Sequence, residues 1–489
     1  MENSLLGDDL ELLNVKKKIS KGLSVLLFRE LILKVFSFAG QVILARILFP
    51  SDFGTIAIIA FIINFFSLFI DIGLSPAIIR EKKKPSQKQL STIFFTKLGL
   101  TLICIIAIFF CAPIFTKFIN GFDTENIFMI WIYGLSLIFT TVKSVPVALI
   151  ERDLRFDLVS KIDIVGVVAY QISVVLFAVF GFGIWSFIWG IYAKEIIECI
   201  AIYKVCPWRP SIYFNRKKIN KMIRFGAYMQ GGGIINFVQN SIIPVIGGLK
   251  TNPYQVGLLD WAFSNALIPE TITNNFGRVA FPGFSKIRHN KTVLSDAISK
   301  SIKILLLLNV YFVVIVLGFG KEVVEIIYTS KWLPGVYVLY WFSASMIFMP
   351  IISVYAQGIF ALGKSKTYFK FNLICSVIEW ILAFYLVKKI GFEGIGISYF
   401  LFTFLLAFSS YLIARKEQIS GNIFNSILPL IFIPISLIFA NLLNDLISFS
   451  LIGLVLKILI LSVIYLLLVS IIAMPELKLI FRELKNIIK

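Results

Sequence analysis

The sequence predicts an all-α, polytopic membrane protein, and three observations carry that expectation. Hydrophobic residues make up 58% of the 489 positions, charged residues only 15%, and the mean hydropathy is +0.90. The apolar residues form continuous runs of about 20 or more, the length a helix needs to cross a bilayer. They do not alternate every second residue, as the strands of a membrane barrel would. Finally, the basic residues gather in short clusters between the runs. A backbone in hydrocarbon has to satisfy its own polar groups, so each run reads as a helix.

Taken in order, Pro, Gly and charge clusters punctuate the chain into about fourteen candidate spans. They lie near 23–48, 54–79, 91–115, 127–149, 159–181, 183–205, 222–249, 254–277, 301–320, 335–361, 367–388, 392–414, 423–443 and 450–472. A formal net charge of +20 could signal nucleic acid, but most of the 47 lysines and arginines fall in alternate loops. That distribution is topology information and places both termini in the cytoplasm, with an even number of spans. The intervening outer loops are very short and leave no room for an extracytoplasmic enzymatic domain. The N-terminal stretch has no short apolar core followed by a small-residue cleavage site, so the first span is read as uncleaved. The five cysteines show no paired spacing and are expected as free thiols acting as small hydrophobes.

The chain also repeats itself. Pro50-Ser51-Asp52-Phe53-Gly54 follows the first span and Pro253-Tyr254-Gln255-Val256-Gly257 follows the seventh, with the same Pro-to-Gly spacing. Gly181-Phe182 and Gly391-Phe392 open the sixth and twelfth spans. Duplicated helical bundles are a common way to build a transporter. The expected organisation is a six-helix bundle over 1–210, a second over 211–420, and an extra helix pair with a cytoplasmic tail over 421–489.

Several spans carry polar stripes. Glu30, Lys34, Ser37 and Gln41 share one face of the first span at helical spacing, with Arg29 beside them, and Asn64, Ser67, Asp71 and Ser75 do so in the second. In the second half, span seven offers Gly231, Gly232, Gly233, Asn236 and Asn240, and span eight offers Asp260, Ser264, Thr271 and Asn275. Such stripes point to a shared hydrophilic cavity. The glycines serve either close helix packing or, with Pro244 and Pro269, a hinge. Arg29 and Lys34 leave surplus positive charge inside a span with only Glu30 opposing it, which suits an anion, and an Arg fork suits a phosphate. Lys97 and Lys143 are further candidate cavity cations. Lys194, Glu195 and Glu198 read as readily as a structural ion pair, and Lys457 as a side chain snorkelling towards an interface. Enzymatic signals are absent: the single histidine, His289, sits in a basic loop, and neither an HExxH site nor a GxxxxGK[ST] phosphate loop occurs.

Ala45-Arg46-Ile47-Leu48-Phe49-Pro50-Ser51-Asp52-Phe53-Gly54, Asp71-Ile72-Gly73-Leu74-Ser75-Pro76-Ala77-Ile78-Ile79-Arg80 and the segment Val145 to Phe156 resemble stretches of the polysaccharide transporter family. That family holds the Wzx-like oligosaccharide flippases of the MOP exporter superfamily. The resemblance implies a MATE/MOP-like fold and export of an undecaprenyl-diphosphate-linked oligosaccharide, turned from the inner to the outer leaflet of a bacterial inner membrane by alternating access. Its implied partners are this lipid-linked oligosaccharide, membrane lipids and a polysaccharide polymerase with its assembly proteins, with no cofactor and no nucleic acid. Arg29-Glu30 is similar in position and type to the Arg-acid pair of related lipid II flippases. The chain departs from the family in placing Asp71 where a basic residue is expected. The candidate cavity residues are therefore Arg29, Glu30, Lys34, Gln41, Asn64, Asp71, Lys97, Lys143, Asn236, Asn240 and Asp260. A MATE-like drug exporter would instead need acids without nearby bases, and a membrane glycan polymerase or ligase would need larger outer loops.

Overall fold

The computed structural model describes residues 33–71, 73–80, 85–215 and 237–488, and every regular element among them is helical. Nine helical spans among the described residues are long and apolar enough to cross a membrane. Trp185–Val205 and Ser365–Ile390, at 21 and 26 residues, are further long helices that carry charges within them. The molecule is a multi-pass membrane protein. The chain divides into two compact units, Met1–Tyr254 and Gln255–Lys489.

In the first unit, α1 (residues 33–47) stops short of Phe49 and α2 (Pro50–Asp71) begins at once. Proline suits the first helical position, where its missing N–H has no intrahelical partner to lose. Asp52 Oδ2 closes the turn by accepting the Phe49 N–H at 2.9 Å. Gly73, at φ +69°, then separates α2 from α3 (Leu74–Arg80), a left-handed conformation that favours glycine. Side-chain caps at Ser86 and Asp123 start α4 (Gln87–Phe118) and α5 (Thr124–Leu135). The unit continues through α6 (Leu137–Arg152), α7 (Phe156–Val179) and α8 (Trp185–Val205). Leu74 and Ile78 of α3, Ile93 and Phe94 of α4, and Val145 and Ala148 of α6 form one apolar core. Ile150, Ile162 and Ile202 join α6, α7 and α8 in another. α9 (residues 237–250) contains a π turn at Ile243–Gly247, so the irregularity expected at Pro244 takes that form.

In the second unit, α10 (Pro253–Ala266) again opens on a proline. The continuous span expected over 254–277 is broken: α11 (Glu270–Ile287) starts only after Pro269, which has no N–H to give the residue 265 carbonyl. Asp260 and Ser264 therefore lie on one helix and Thr271 and Asn275 on another, and the four do not form a single stripe. α12 (Lys291–Val323), α13 (Val336–Ser345), α14 (Met349–Ala361), α15 (Ser365–Ile390) and α16 (Glu393–Lys416) complete the bundle. Its core draws Phe284 from α11, Ile298 and Ile302 from α12, Tyr355 from α14 and Leu406 from α16.

After the short α17 (Ile423–Ile427), α18 (Phe432–Leu446) and α19 (Leu451–Ile488) pack on α12. Close approach depends on Gly318, where an added Cβ would sit 2.7 Å from the Ala440 Cβ. Tyr465 OH donates to the Leu307 carbonyl at 2.6 Å, and Asn444 Nδ2 donates to that of Gly318 at 3.1 Å. Lys457 corrects the snorkelling expectation. It is 1% exposed and its ammonium meets Glu322 Oε1 at 2.5 Å, because a carboxylate 135 residues earlier lies on the adjoining face of α12. Glu322 Oε2 is buried without a partner among the described residues, so the pair holds little in reserve. Removing one member of a buried pair strands the other charge, which typically costs about 3–5 kcal/mol. Lys457→Ala or Glu322→Ala should lower the melting temperature of the detergent-purified protein by several degrees, and the double replacement Glu322→Leu with Lys457→Met should recover most of it. A double variant as unstable as either single one would contradict the pairing.

Candidate functional site

Two charged constellations stand inside the first unit. One joins α2, α3 and α4. Asp71 closes α2, and Ser75, four residues on, gives both its backbone N–H and its hydroxyl to Asp71 Oδ1, at 3.1 and 3.2 Å. Lys97 of α4 brings its ammonium to the same oxygen at 2.7 Å and donates to Ser75 Oγ at 2.6 Å. The lysine side chain is 3% accessible and that of the aspartate 44%. The cation is thus sealed behind the carboxylate, and the carboxylate faces outward.

The second constellation joins α6 to α8. Lys143 Nζ lies 2.7 Å from Glu195 Oε2 and also contacts Glu198 Oε2. Lys194 reaches Glu198 Oε1 at 3.9 Å, as its one-turn spacing allows, and Thr140 Oγ1 donates to Glu195 at 3.3 Å. α7 accommodates this cluster with a glycine: a Cβ on Gly166 would fall 2.1 Å from Glu198 Oε1. The two constellations are linked by a buried hydrogen bond of 2.6 Å between Thr101 Oγ1 of α4 and Thr141 Oγ1 of α6. Lys97 and Lys143 are thereby both opposed by carboxylates, so neither stands as a free cavity cation.

Other candidate residues are dispersed. Arg29, Glu30, Asn236 and the Gly231 to Gly233 run lie outside the described residues. Lys34, Asn64 and Asn240 are exposed, and Gln41 and Asp260 are half-buried. Asp260 has no hydrogen-bond or ion-pair partner among the described residues. Sequence reasoning missed Gln171 of α7, whose Oε1 is buried without a partner among the described residues and occupies the space above Gly40, 1.9 Å from where a Cβ would stand. It also missed Thr101 and Thr141, ordinary threonines in apolar runs that no local pattern marks.

Replacing Lys143 by Met should leave two adjacent buried carboxylates repelling each other and destabilise the protein by about 3–5 kcal/mol. Lys143→Arg, which keeps the charge, should retain most of the stability. Gly166→Ala should cost about 1–3 kcal/mol by overpacking against Glu198. Melting curves of the three purified variants check both points, and a Lys143→Met protein as stable as the parent would remove the cluster from the account.

Comparison with known proteins places this architecture. The family profile described as "Polysaccharide biosynthesis protein" matches residues 43–337, more than half of the chain. The succinoglycan biosynthesis transport protein ExoT of Rhizobium meliloti is 21% identical over 336 residues, covering 68% of this chain and 67% of that protein. The lipopolysaccharide biosynthesis protein WzxC of Escherichia coli is 21% identical over 397 residues, covering 78% and 77%. Among solved structures, the lipid II flippase MurJ in an inward closed conformation superimposes with a TM-score of 0.71 at 16% identity, over 90% of this chain and 98% of MurJ. The chain has that fold, and it belongs to the polysaccharide biosynthesis protein family.

Proposed function

We propose that this protein is a flippase that carries an undecaprenyl-diphosphate-linked oligosaccharide from the inner to the outer leaflet for assembly of a surface polysaccharide. The observation that carries this reading is the exposure of Asn64, Asp71 and Lys34 on otherwise apolar helices. Hydrocarbon does not accept such groups, so this face of the first unit borders water at membrane depth. A polar path through a membrane, in a family of polysaccharide biosynthesis proteins and with a transport protein among its relatives, fits a large polar cargo on a lipid anchor.

In this reading the diphosphate is held by Arg29 and Lys34, with Glu30 orienting them, because Lys97 and Lys143 are already paired. Translocation needs no covalent chemistry, so the protein is a transporter and not an enzyme. The basic loops place it in the bacterial inner membrane with both termini in the cytoplasm. A polymerase and its assembly proteins would take the cargo on the outer side. A second reading has one observation in its favour. Asp260 and Glu379, the latter 3% exposed, lack hydrogen-bond and ion-pair partners among the described residues, and acids without bases suit export of organic cations.

Deleting the gene should trap lipid-linked oligosaccharide in the inner leaflet and leave susceptibility to cationic dyes and drugs unchanged. The opposite pattern, drug sensitivity with normal surface glycan, would establish the second reading. Arg29→Ala, expressed at the parental level, should lower glycan export about tenfold or more, the scale of a lost charge-assisted hydrogen bond. Unchanged export would end the headgroup assignment.

A further inference from the structure

We infer that the outward face of α2 is a carbohydrate subsite, in which Asp71 and Asn64 accept and donate hydrogen bonds to sugar hydroxyls while Phe65 and Phe69 stack against the sugar ring. The inference rests on the flippase reading and assigns recognition to the glycan part of the cargo as well as to its diphosphate.

The geometry at Asp71 is asymmetric. All three of its recorded donors, the Ser75 N–H, the Ser75 hydroxyl and the Lys97 ammonium, converge on Oδ1. Oδ2 has no partner among the described residues, and the side chain is 44% accessible. One oxygen is anchored and the other presented. The buried ammonium behind it keeps the carboxylate charged and fixes its direction, so Lys97 is a positioning residue. An oriented carboxylate oxygen is a strong acceptor for hydroxyl donors. Asn64 lies seven residues earlier, about 20° away around the helix at 100° per residue, and is exposed. Its carboxamide offers both a donor and an acceptor on the same column.

Beside this polar column runs an aromatic one. Phe61, Phe65 and Phe69 recur every fourth residue, and the last two are 40% and 51% exposed. Phe237 of α9 braces the column, stacked on Phe61 with centroids 5.3 Å apart and tilted against Phe65 at 6.2 Å. Phe65 and Phe69 meet edge to face at 5.3 Å. Aromatic faces carry negative charge density and receive the C–H faces of a pyranose. On its own, such a column is what lipid-facing helices show. Here it shares one exposed surface with a carboxylate and a carboxamide, which lipid would not accept. Alternating hydroxyl acceptors and aromatic faces are the chemistry that binds a sugar. A site built on such hydrogen bonds discriminates strongly against ligands that lack the matching hydroxyl.

The test uses the full-length protein in nanodiscs and two probes: bare undecaprenyl diphosphate, and the lipid-linked oligosaccharide extracted from a strain of the protein's own host that lacks it. The parent should bind the glycan-bearing lipid more tightly than the bare one. Asp71→Asn, Asn64→Ala and Phe69→Leu should each weaken binding of the glycan-bearing lipid about three- to tenfold, leaving the bare lipid unaffected. Asn64 and Phe69 are exposed, so their variants keep the test valid even if loss of the Asp71 charge perturbs folding. Equal affinity of the parent for both lipids, or equal weakening of both in the variants, would overturn the subsite while leaving the flippase reading intact. Failure of the parent to bind either lipid would overturn the flippase reading and the subsite with it.

Discussion

A charge or carboxamide inside an apolar helix has to meet an opposite charge, a hydrogen-bonding partner or water, because acyl chains supply none of these. The described polar residues sort by which solution they adopt. Lys97, Lys143 and Lys457 are buried or nearly so, and each meets one or two carboxylates from another helix. Lys34 and Asn64 are exposed, and Asp71 does both at once, holding a buried lysine with one oxygen and facing outward with the other. The first group ties helices together. The second marks a surface that water must reach.

This sorting connects structure to transport. The pairs of the first unit join α2 and α3 to α4, and α6 to α8, with the Thr101 to Thr141 hydrogen bond between them. Buried pairs of this kind add little net stability over apolar residues of the same shape, but losing one partner is costly, so they hold their helices in one arrangement. In the second unit the C-terminal pair α18 and α19 is joined to α12 by the Lys457 to Glu322 pair and by apolar packing around Leu461 and Tyr465. A bundle that moves as a body while a polar cargo passes needs this internal cohesion together with one hydrated wall.

Much of the architecture was legible locally. Pro50 and Pro253 each open a helix because the reason is confined to one residue's missing N–H. The Lys194 to Glu198 pair follows from spacing of one turn within α8. What the sequence left open is the pairing between helices. Lys143 reads as an isolated cation until α8 brings Glu195 and Glu198 alongside, and Lys97 reads as a cavity cation until the turn at Gly73 brings Asp71 and Ser75 to it. Lys457 and its partner are 135 residues apart, so nothing in its own span shows that it is neutralised. The span eight stripe failed for another reason. Periodicity assumed an unbroken helix, whereas Pro269 ends one and starts another.

The central claim is that the Asn64 and Asp71 face of α2 borders a water-filled path while equally exposed apolar positions border lipid. Single cysteines at Asn64 and at Ile103, an α4 residue that is 64% exposed, can be compared in a background with Cys104, Cys111, Cys199, Cys206 and Cys375 replaced. A charged, membrane-impermeant thiol reagent applied to the protein in lipid bilayers should modify Asn64→Cys readily and Ile103→Cys at least tenfold more slowly, because the reactive thiolate forms only in water. Equal rates at the two positions, or faster reaction at Ile103→Cys, would contradict the account.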